Sequence, residues 1–242
     1  MKTVIVIPAR YNSTRFKGKP LVKILGREMI LRVADICSDV VDKKNLFIAT
    51  DNYKILATVR KAKYKAIMTS SKCLTGTDRV AEVSRKINSR IYVNVQGDEP
   101  TINPNDIIKI IKKKIKYPNH VICGYTKITS FEEAFSKNVP KVVFNKEEEL
   151  VYISRSIIPC TKNNKNKVNY FKQVCIYAFN KKELNIFSRL KNKSKIEKIE
   201  DIEILRFFDF GIKIKMVRLY GRSVAVDEIK DLKKVEDILN KK

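Results

Sequence analysis

Histidine is almost absent from this sequence, which has a single copy among 242 residues. That residue, His120, lies in the segment YPNHVICGY, at the predicted start of a strand. Catalysis by a Ser-His-Asp or Cys-His arrangement would therefore depend on this one side chain. We do not expect histidine-based nucleophilic catalysis.

Closely spaced cysteine pairs are also missing. The five cysteines are odd in number and include no C-x-x-C pair; they are Cys37, Cys73, Cys123, Cys160 and Cys175. This pattern argues against a disulfide framework and against a zinc site. It favours buried free thiols in a reducing compartment.

Long apolar runs are missing as well. The first run, VIVIP, is too short for a signal peptide. No segment approaches the roughly 20 consecutive apolar residues of a transmembrane helix. The sequence therefore predicts a soluble, cytoplasmic protein without membrane insertion.

Positive charge, in contrast, is in excess. The chain has 51 Lys and Arg against 26 Asp and Glu, a formal net charge of +25. This charge suggests an anionic partner: nucleic acid, an acidic surface or a phosphorylated small molecule. The lysines are spread over runs such as 112–116, 162–167 and 191–198, without an aromatic-rich nucleic-acid signature. We predict no nucleic-acid partner and keep a non-catalytic, basic nucleic-acid-binding protein as a remote alternative.

Apolar runs alternate with helical spacing in the first half of the chain. Short apolar runs predict strands at 3–9, at 45–51 and in the first part of 90–100. Helical spacing predicts helices at 27–41, 52–64, 78–87 and 103–117, the last with Pro104 at its start. This order predicts βαβ units, and hence an α/β fold with an open, mostly parallel, Rossmann-like sheet flanked by helices.

The middle of the chain differs, because strand-like segments follow one another there, at 120–128, 141–154 and 170–180. We predict a smaller mixed β region at approximately 120–180, inside a single domain of residues 1–242. This region would cover the substrate or form a dimer contact. The remaining elements predicted are a helix at 197–211, a strand at 213–220 and a helix at 226–242.

The segment IPARYNSTRFKGKPL follows the first predicted strand, and in an open α/β sheet ligands bind at the carboxyl ends of strands. Arg10, Arg15 and Lys19 are its candidate phosphate-binding cations. Ser13 is a small hydrogen-bonding residue, and Gly18 would permit a close backbone approach. The segment matches neither the dinucleotide-binding G-x-G-x-x-G nor the P-loop. It predicts a phosphate-binding loop, with a solvated basic loop as the alternative.

Polar residues cluster at three further places. In VNVQGDEP, Gly97 would let the chain turn and Asp98 favours a Mg²⁺ site, since this cation is often bound by one or two carboxylates plus phosphate oxygens. In TGTDRVAE, residues 75–78 look like a helix N-cap, and Arg79 offers a donor fork to a phosphate or base edge. Asp227 precedes the last predicted helix and is an N-cap, a second metal ligand or both.

These clusters together resemble the 3-deoxy-manno-octulosonate (Kdo) cytidylyltransferases. The matching blocks occur in that family's order over nearly the full chain: IPARYNSTRFKGKPL, ATD, TGTDRVAEV, VNVQGDEP, AFSKNVPKVV, YISRSIIP, IYAF, IEILRFF and VDEIKDLKKV. The resemblance implies that CTP and Kdo give CMP-Kdo and pyrophosphate, for lipopolysaccharide or capsule synthesis. It also implies a homodimer built through the middle β region.

The resemblance assigns roles to individual residues. Those implied to bind the nucleotide are Arg10, Ser13, Arg15, Lys19, Thr77, Asp78, Arg79 and Gln96. Of these, Lys19, Arg10 and Arg15, together with Asp98, would be catalytic, with Lys19 stabilising charge at the α-phosphorus. Those implied to face the sugar are Gln96, Arg155, Gln173, Tyr177 and Glu203. Asp98 and Asp227 would hold Mg²⁺.

The chain departs from the family pattern mainly on the sugar side. Gln173 stands where the family usually has histidine, and Ile204 stands where it usually has glutamine. Arg222 and Ser223 replace a glycine- and threonine-rich approach to Asp227. The alternative substrate is therefore a modified sugar acid, such as 8-amino-Kdo or another 2-keto-3-deoxy acid.

Overall fold

The computed structural model describes residues 2–12, 16–162, 168–221 and 223–241. Its strands are β1 (Thr3–Ala9), β2 (Lys23–Ile24), β3 (Arg27–Glu28), β4 (Leu46–Thr50), β5 (Lys65–Met68), β6 (Ile91–Val95), β7 (Val121–Lys127), β8 (Lys141–Phe144), β9 (Leu150–Ser154), β10 (Phe171–Phe179) and β11 (Ile214–Arg218). Its α-helices are α1 (Met29–Ser38), α2 (Tyr53–Lys61), α3 (Gly76–Lys86), α4 (Pro104–Lys116), α5 (Phe131–Phe135), α6 (Lys181–Phe187), α7 (Lys195–Glu200) and α8 (Asp231–Leu239). Its 3-10 helices are Lys19–Leu21, Lys43–Asn45 and Glu203–Phe210.

The central sheet has the strand order β11-β7-β10-β6-β1-β4-β5. Its pairs are parallel except where β10 lies antiparallel between β6 and β7. The predicted α/β fold with a mostly parallel sheet is therefore confirmed. In the predicted mixed region, β7 and β10 belong to this sheet, and the β8–β9 hairpin extends from β10.

Alternate residues of β1 are buried in two hydrophobic cores, one on each face of the sheet. Ile5 and Ile7 belong to the core that contains residues of α1, α2 and α4. Val4 and Val6 belong to the opposite core, with residues of α3 and α6. Because both faces of the strand are covered, its sequence is apolar without alternation.

Two of the predicted helices have other bounds in the structure than the sequence predicted. The prediction of one helix at 197–211 is wrong, since Asp201 adopts a left-handed conformation (φ 50°) that ends α7. A 3-10 helix then begins at Glu203. The prediction of a helix from 226 is wrong at its start, because α8 begins at Asp231 and leaves Asp227 in a loop. None of the described helices is long and apolar enough to cross a membrane.

Candidate active site

A cavity of about 770 Å³ opens at the carboxyl ends of β1 and β6. Most of the predicted site residues line it, namely Arg10, Lys19, Arg79, Gln96, Asp98, Arg155, Gln173, Tyr177, Glu203 and Asp227. Thr77 and Asp78 lie next to it in α3 and are not among the lining residues. Ser13, Arg15 and Arg222 lie outside the described residues. The fold thus brings the predicted nucleotide, metal and sugar residues to one place.

Lys19 connects the two aspartates predicted to hold metal. Its Nζ donates to Oδ2 of Asp98 at 2.7 Å and to the carbonyl oxygen of Val226 at 2.8 Å. It also lies 3.7 Å from Oδ1 of Asp227. The lysine is only 13% exposed, so its ammonium is fixed between the two carboxylates. The three charged groups come from distant parts of the chain and form one preorganised cluster.

Two glycines shape this end of the cavity, in roles opposite to those expected from the sequence. Gly18 has φ 75°, a left-handed conformation that starts the 3-10 helix carrying Lys19. Gly97 does not need such a conformation; instead, a Cβ there would come within 2.9 Å of the carbonyl oxygen of Pro8. Gly18 therefore provides the turn, and Gly97 provides the close approach of the strand ends.

The Asp98 and Asp227 carboxylates fit a divalent cation. Both already flank one cationic group, the Lys19 ammonium, and both are partly exposed toward the cavity (31% and 45%). Among the described residues, no group of three or more His, Cys, Asp or Glu side chains could hold a metal ion. Two carboxylates completed by phosphate oxygens and water are a typical environment for Mg²⁺.

The loop that carries Asp227 is anchored by a buried carboxylate in α4. Asp106, 2% exposed, accepts hydrogen bonds from the backbone N–H groups of Tyr220 (2.8 Å) and Gly221 (3.1 Å). Further along the loop, the N–H of Val226 donates to the carbonyl oxygen of Asp98 at 2.9 Å. The N-cap interpretation of Asp227 is wrong, because Lys230 is the N-cap of α8.

The start of α3 holds Glu203 at the floor of the cavity. The predicted N-cap at residues 75–78 is confirmed: Thr75 is the N-cap residue, and it forms a reciprocal capping box with Asp78. The backbone N–H of Thr77 donates to Oε2 of Glu203 at 2.9 Å. Burial raises the pKa of Glu203 above its ordinary value of 4.5, although the hydrogen bond from Thr77 opposes the shift. The sequence did not indicate this contact, which joins residues 126 positions apart.

Two of the predicted arginines already have partners. The guanidinium of Arg79 is 4% exposed and donates to Asp51 at 2.5 Å and to Thr69 at 2.8 Å. The guanidinium of Arg155 donates to the backbone carbonyl oxygens of Glu200 (2.6 Å), Lys137 (2.9 Å) and Asp201 (3.1 Å). Both arginines thus organise the walls of the cavity as well as lining it.

Two of the residues predicted to face the sugar, Gln173 and Tyr177, form a buried polar wall on β10. Nε2 of Gln173 donates to the hydroxyl of Tyr177 at 2.9 Å. Burial raises the pKa of Tyr177 well above its ordinary value, so the phenol stays protonated. Ile204 does not contribute to this wall, since it is 1% exposed and lies in the hydrophobic core. That departure from the family pattern therefore falls outside the cavity lining.

Two charged residues of the cavity wall were missed in the sequence. Lys193 and Asp201 line the cavity and form an ion pair at 2.5 Å. Glu99 is buried beside Asp98, and this burial, reinforced by the charge of Asp98, raises the pKa of Glu99 to about 7. Lys193 lies in a lysine-rich segment that gives no signal of its own, whereas Glu99 belongs to VNVQGDEP, which the sequence already indicated as a polar cluster.

Comparison with known proteins places these residues in context. Residues 4–214 match the protein family described as Cytidylyltransferase. The 3-deoxy-manno-octulosonate cytidylyltransferase of Escherichia coli is 37% identical over 238 residues, covering 98% of this chain and 96% of that protein. The enzyme of the same name from Thermodesulfovibrio yellowstonii is 39% identical over 255 residues and covers 99% of each chain.

Solved structures agree with this result. A CMP:2-keto-3-deoxy-manno-octonic acid synthetase complexed with CTP is 37% identical, with a TM-score of 0.92, covering 100% of this chain and 99% of that one. The 4-diphosphocytidyl-2C-methyl-D-erythritol synthase of Anaerococcus prevotii shares the fold at 15% identity, with a TM-score of 0.64 and coverage of 98% and 96%.

Proposed function

This chain belongs to the cytidylyltransferase family, and we propose that it activates Kdo, converting CTP and Kdo to CMP-Kdo and pyrophosphate. The observation that carries the proposal is the single cavity in which Lys19, Asp98 and Asp227 meet the polar wall of Gln173 and Tyr177. Full-length similarity to a synthetase complexed with CTP supports the same reaction.

The phosphate end of the cavity would bind the triphosphate of CTP. Arg10 and Lys19 supply positive charge at the carboxyl end of β1, where ligands of open α/β sheets bind. Lys19 is already fixed by Asp98 and Val226, so little reorganisation is needed when charge builds at the α-phosphorus. Ser13, Arg15, Thr77 and Asp78 stay predicted nucleotide-binding residues.

We propose Mg²⁺ as the divalent cation, held by Asp98 and Asp227. When bound, this ion would polarise the α-phosphate and neutralise part of the triphosphate charge. The chain itself contributes the placement of the two carboxylates, which the anchored loop of Asp227 and the Val226–Asp98 hydrogen bond provide. Removing divalent cations with a chelator should abolish turnover, and added Mg²⁺ should restore it.

The sugar end would position the attacking hydroxyl. The anomeric oxygen of the sugar acid forms a bond to the α-phosphorus as the bond to pyrophosphate breaks, so catalysis is mainly positioning and electrostatic stabilisation. Gln96, whose Nε2 lies 3.4 Å from Oε1 of Glu203, offers hydrogen-bonding groups for the sugar hydroxyls. The Gln173–Tyr177 pair offers further ones. The 8-amino form of Kdo and other 2-keto-3-deoxy acids remain the alternative substrates.

Further features belong to the same proposal. They are a homodimer, a cytoplasmic location, a role in lipopolysaccharide or capsule synthesis, and sugar binding and dimerisation by residues 120–180 within a single domain of 1–242. The absence of a nucleic-acid partner and of membrane insertion also stays a prediction. Size-exclusion chromatography with light scattering would test the dimer.

The experiment that tests the proposed function is pyrophosphate release by purified protein with CTP and Mg²⁺, comparing Kdo with other 2-keto-3-deoxy acids. Lys19→Ala should lower turnover by at least a hundredfold while the protein stays folded, because it removes a preorganised charge from the reacting phosphate. Lys17→Ala, an exchange of a nearby lysine that does not line the cavity, is the control. Near-normal activity of Lys19→Ala would contradict the role of this cluster.

A further inference from the structure

Lys193 and Asp201 form an ion pair in the wall of the cavity that has no role in the mechanism described so far. Nζ of Lys193 donates to Oδ1 of Asp201 at 2.5 Å, and both residues line the cavity. They lie on the sugar side, because Asp201 is two residues from Glu203 and its carbonyl oxygen accepts a hydrogen bond from Arg155 at 3.1 Å.

The backbone around this pair is well anchored. Lys193 directly precedes Ser194, the N-cap of α7, whose side chain accepts a hydrogen bond from the N–H of Glu197. Asp201 ends the same helix in its left-handed conformation. The two residues therefore flank one short helix, and the position of each is determined by the ends of that helix.

The other cations of this wall are less suited to bind a substrate carboxylate. Arg155 uses its guanidinium to hold three backbone carbonyl groups, which fixes it in a structural position. The side chain of Lys137 is exposed, and the structure describes no ion pair that holds it. Lys193 is only 29% exposed, so its ammonium is held at the cavity without being sealed from it.

Lys193 can exchange its ion pair with Asp201 for an ion pair with another anion. Asp201 is 68% exposed, and an ion pair open to water is weak. Asp201 also has other cationic neighbours. The hydrogen bond from Lys193 is the main cause that lowers the pKa of Asp201 below its ordinary 3.8, and the charges of Arg155 and Arg10 lower this pKa further. The carboxylate of Asp201 therefore keeps favourable surroundings when Lys193 turns to another anion.

We propose that Lys193 binds the carboxylate of the sugar acid, and that Asp201 holds its ammonium in position until the substrate displaces it. The proposal rests on the proposed function, since it concerns the acid that this cavity would activate. It makes Lys193 a substrate-binding residue and Asp201 a competitor of the substrate for the same cation.

Two substitutions separate this role from a purely structural one. Lys193→Met should raise KM for the sugar acid about tenfold or more and leave KM for CTP within about twofold, because one charge-assisted hydrogen bond is lost. Asp201→Asn should leave KM for the acid unchanged or lower it, because the competing charge is removed. Asparagine tolerates the left-handed conformation, so the backbone of this variant is preserved.

The controls use neighbouring lysines and a modified substrate. Lys195→Met changes an exposed lysine of the same segment that does not line the cavity, and should leave both KM values unchanged. Lys137→Met should have a smaller effect than Lys193→Met. The carboxamide of the sugar acid should be a much poorer substrate than the acid for the native enzyme, and Lys193→Met should lose most of that preference.

The outcomes distinguish the two proposals. If the native enzyme turns over no 2-keto-3-deoxy acid with CTP, the proposed function fails and this inference fails with it. If the native enzyme is active, the inference alone is overturned by an unchanged KM in Lys193→Met, an equal rise of both KM values, or a larger effect in Lys137→Met. A rise in KM for Asp201→Asn equal to that of Lys193→Met would also overturn it, since the pair would then be a structural tie.

Discussion

Arg206 lies at the centre of a buried charge cluster beside the cavity, and its replacement tests how this part of the fold is stabilised. The residue is 0% exposed and lies in the 3-10 helix that carries Glu203. Its Nε and Nη2 each donate to Glu197 at 2.7 Å, and its Nη1 donates to Asp78 at 2.8 Å. The cluster ties this helix to α7 and to the start of α3.

Arg206→Met would leave the Glu197 carboxylate, also 0% exposed, buried without a counter-charge. Removing one partner of a buried ion pair typically costs about 3–5 kcal/mol. Against a domain stability of about 5–15 kcal/mol, this is a large loss that urea unfolding measures directly. We therefore expect the midpoint of unfolding to fall sharply with little change in the m-value.

A double-mutant cycle identifies the cause. The double variant Glu197→Gln/Arg206→Met should lose at least about 1 kcal/mol less free energy of unfolding than the two single variants lose in sum, because the two side chains share one interaction. Lys213→Met breaks an exposed pair with Glu149 and should cost less than about 1 kcal/mol. Additive single effects, or a cost for Arg206→Met no larger than for Lys213→Met, would contradict a stabilising role of the buried Arg206–Glu197 pair.

Two further predictions concern the loop that carries Asp227 and the buried thiol of Cys37. Asp106→Ala should raise the Mg²⁺ concentration for half-maximal activity and weaken Mn²⁺ binding measured by calorimetry, because the loop of Asp227 loses two hydrogen bonds. Asp106→Asn should have a smaller effect. Equal Mn²⁺ binding by the native protein and by Asp106→Ala would contradict the anchoring role of Asp106. Burial raises the pKa of Cys37 above its ordinary 9.0, so this thiol stabilises the fold below that pH and its contribution falls by about 1.4 kcal/mol per unit as pH rises further. Urea unfolding measured between pH 9 and 10.5 should show that the free energy of unfolding declines less steeply with pH in Cys37→Ala than in the native protein. In Cys160→Ala, which changes an exposed cysteine, the decline should equal that of the native protein. Equal slopes for the two variants would contradict the role of the Cys37 thiol.

The sheet could be predicted from the sequence because its strands are buried on both faces. The run at Thr3–Ala9 is apolar at every buried position, and such runs are recognisable without a partner. The strand Lys65–Met68 was not predicted, since four residues beginning with an exposed lysine give too weak a pattern. The break at Asp201 was missed for a similar reason, because apolar spacing continues through it and only the backbone turns.

The site could be predicted as a set of residues, but the partners within it could not. Lys19, Asp98 and Asp227 were identified from their places after apolar runs and from family resemblance, and they do lie together. That the guanidinium of Arg155 is held by backbone carbonyls depends on tertiary contacts that no local pattern encodes. The same holds for Lys193, which the sequence does not distinguish from its neighbouring lysines.

The proposed reaction can be tested directly by detecting CMP-Kdo by mass spectrometry, after incubation of the purified protein with CTP, Kdo and Mg²⁺. We expect equimolar CMP-Kdo and pyrophosphate from the native protein and almost none of either product from Lys19→Ala. Absence of CMP-Kdo from folded native protein, with another 2-keto-3-deoxy acid coupled to CMP instead, would contradict the assignment of Kdo as the substrate.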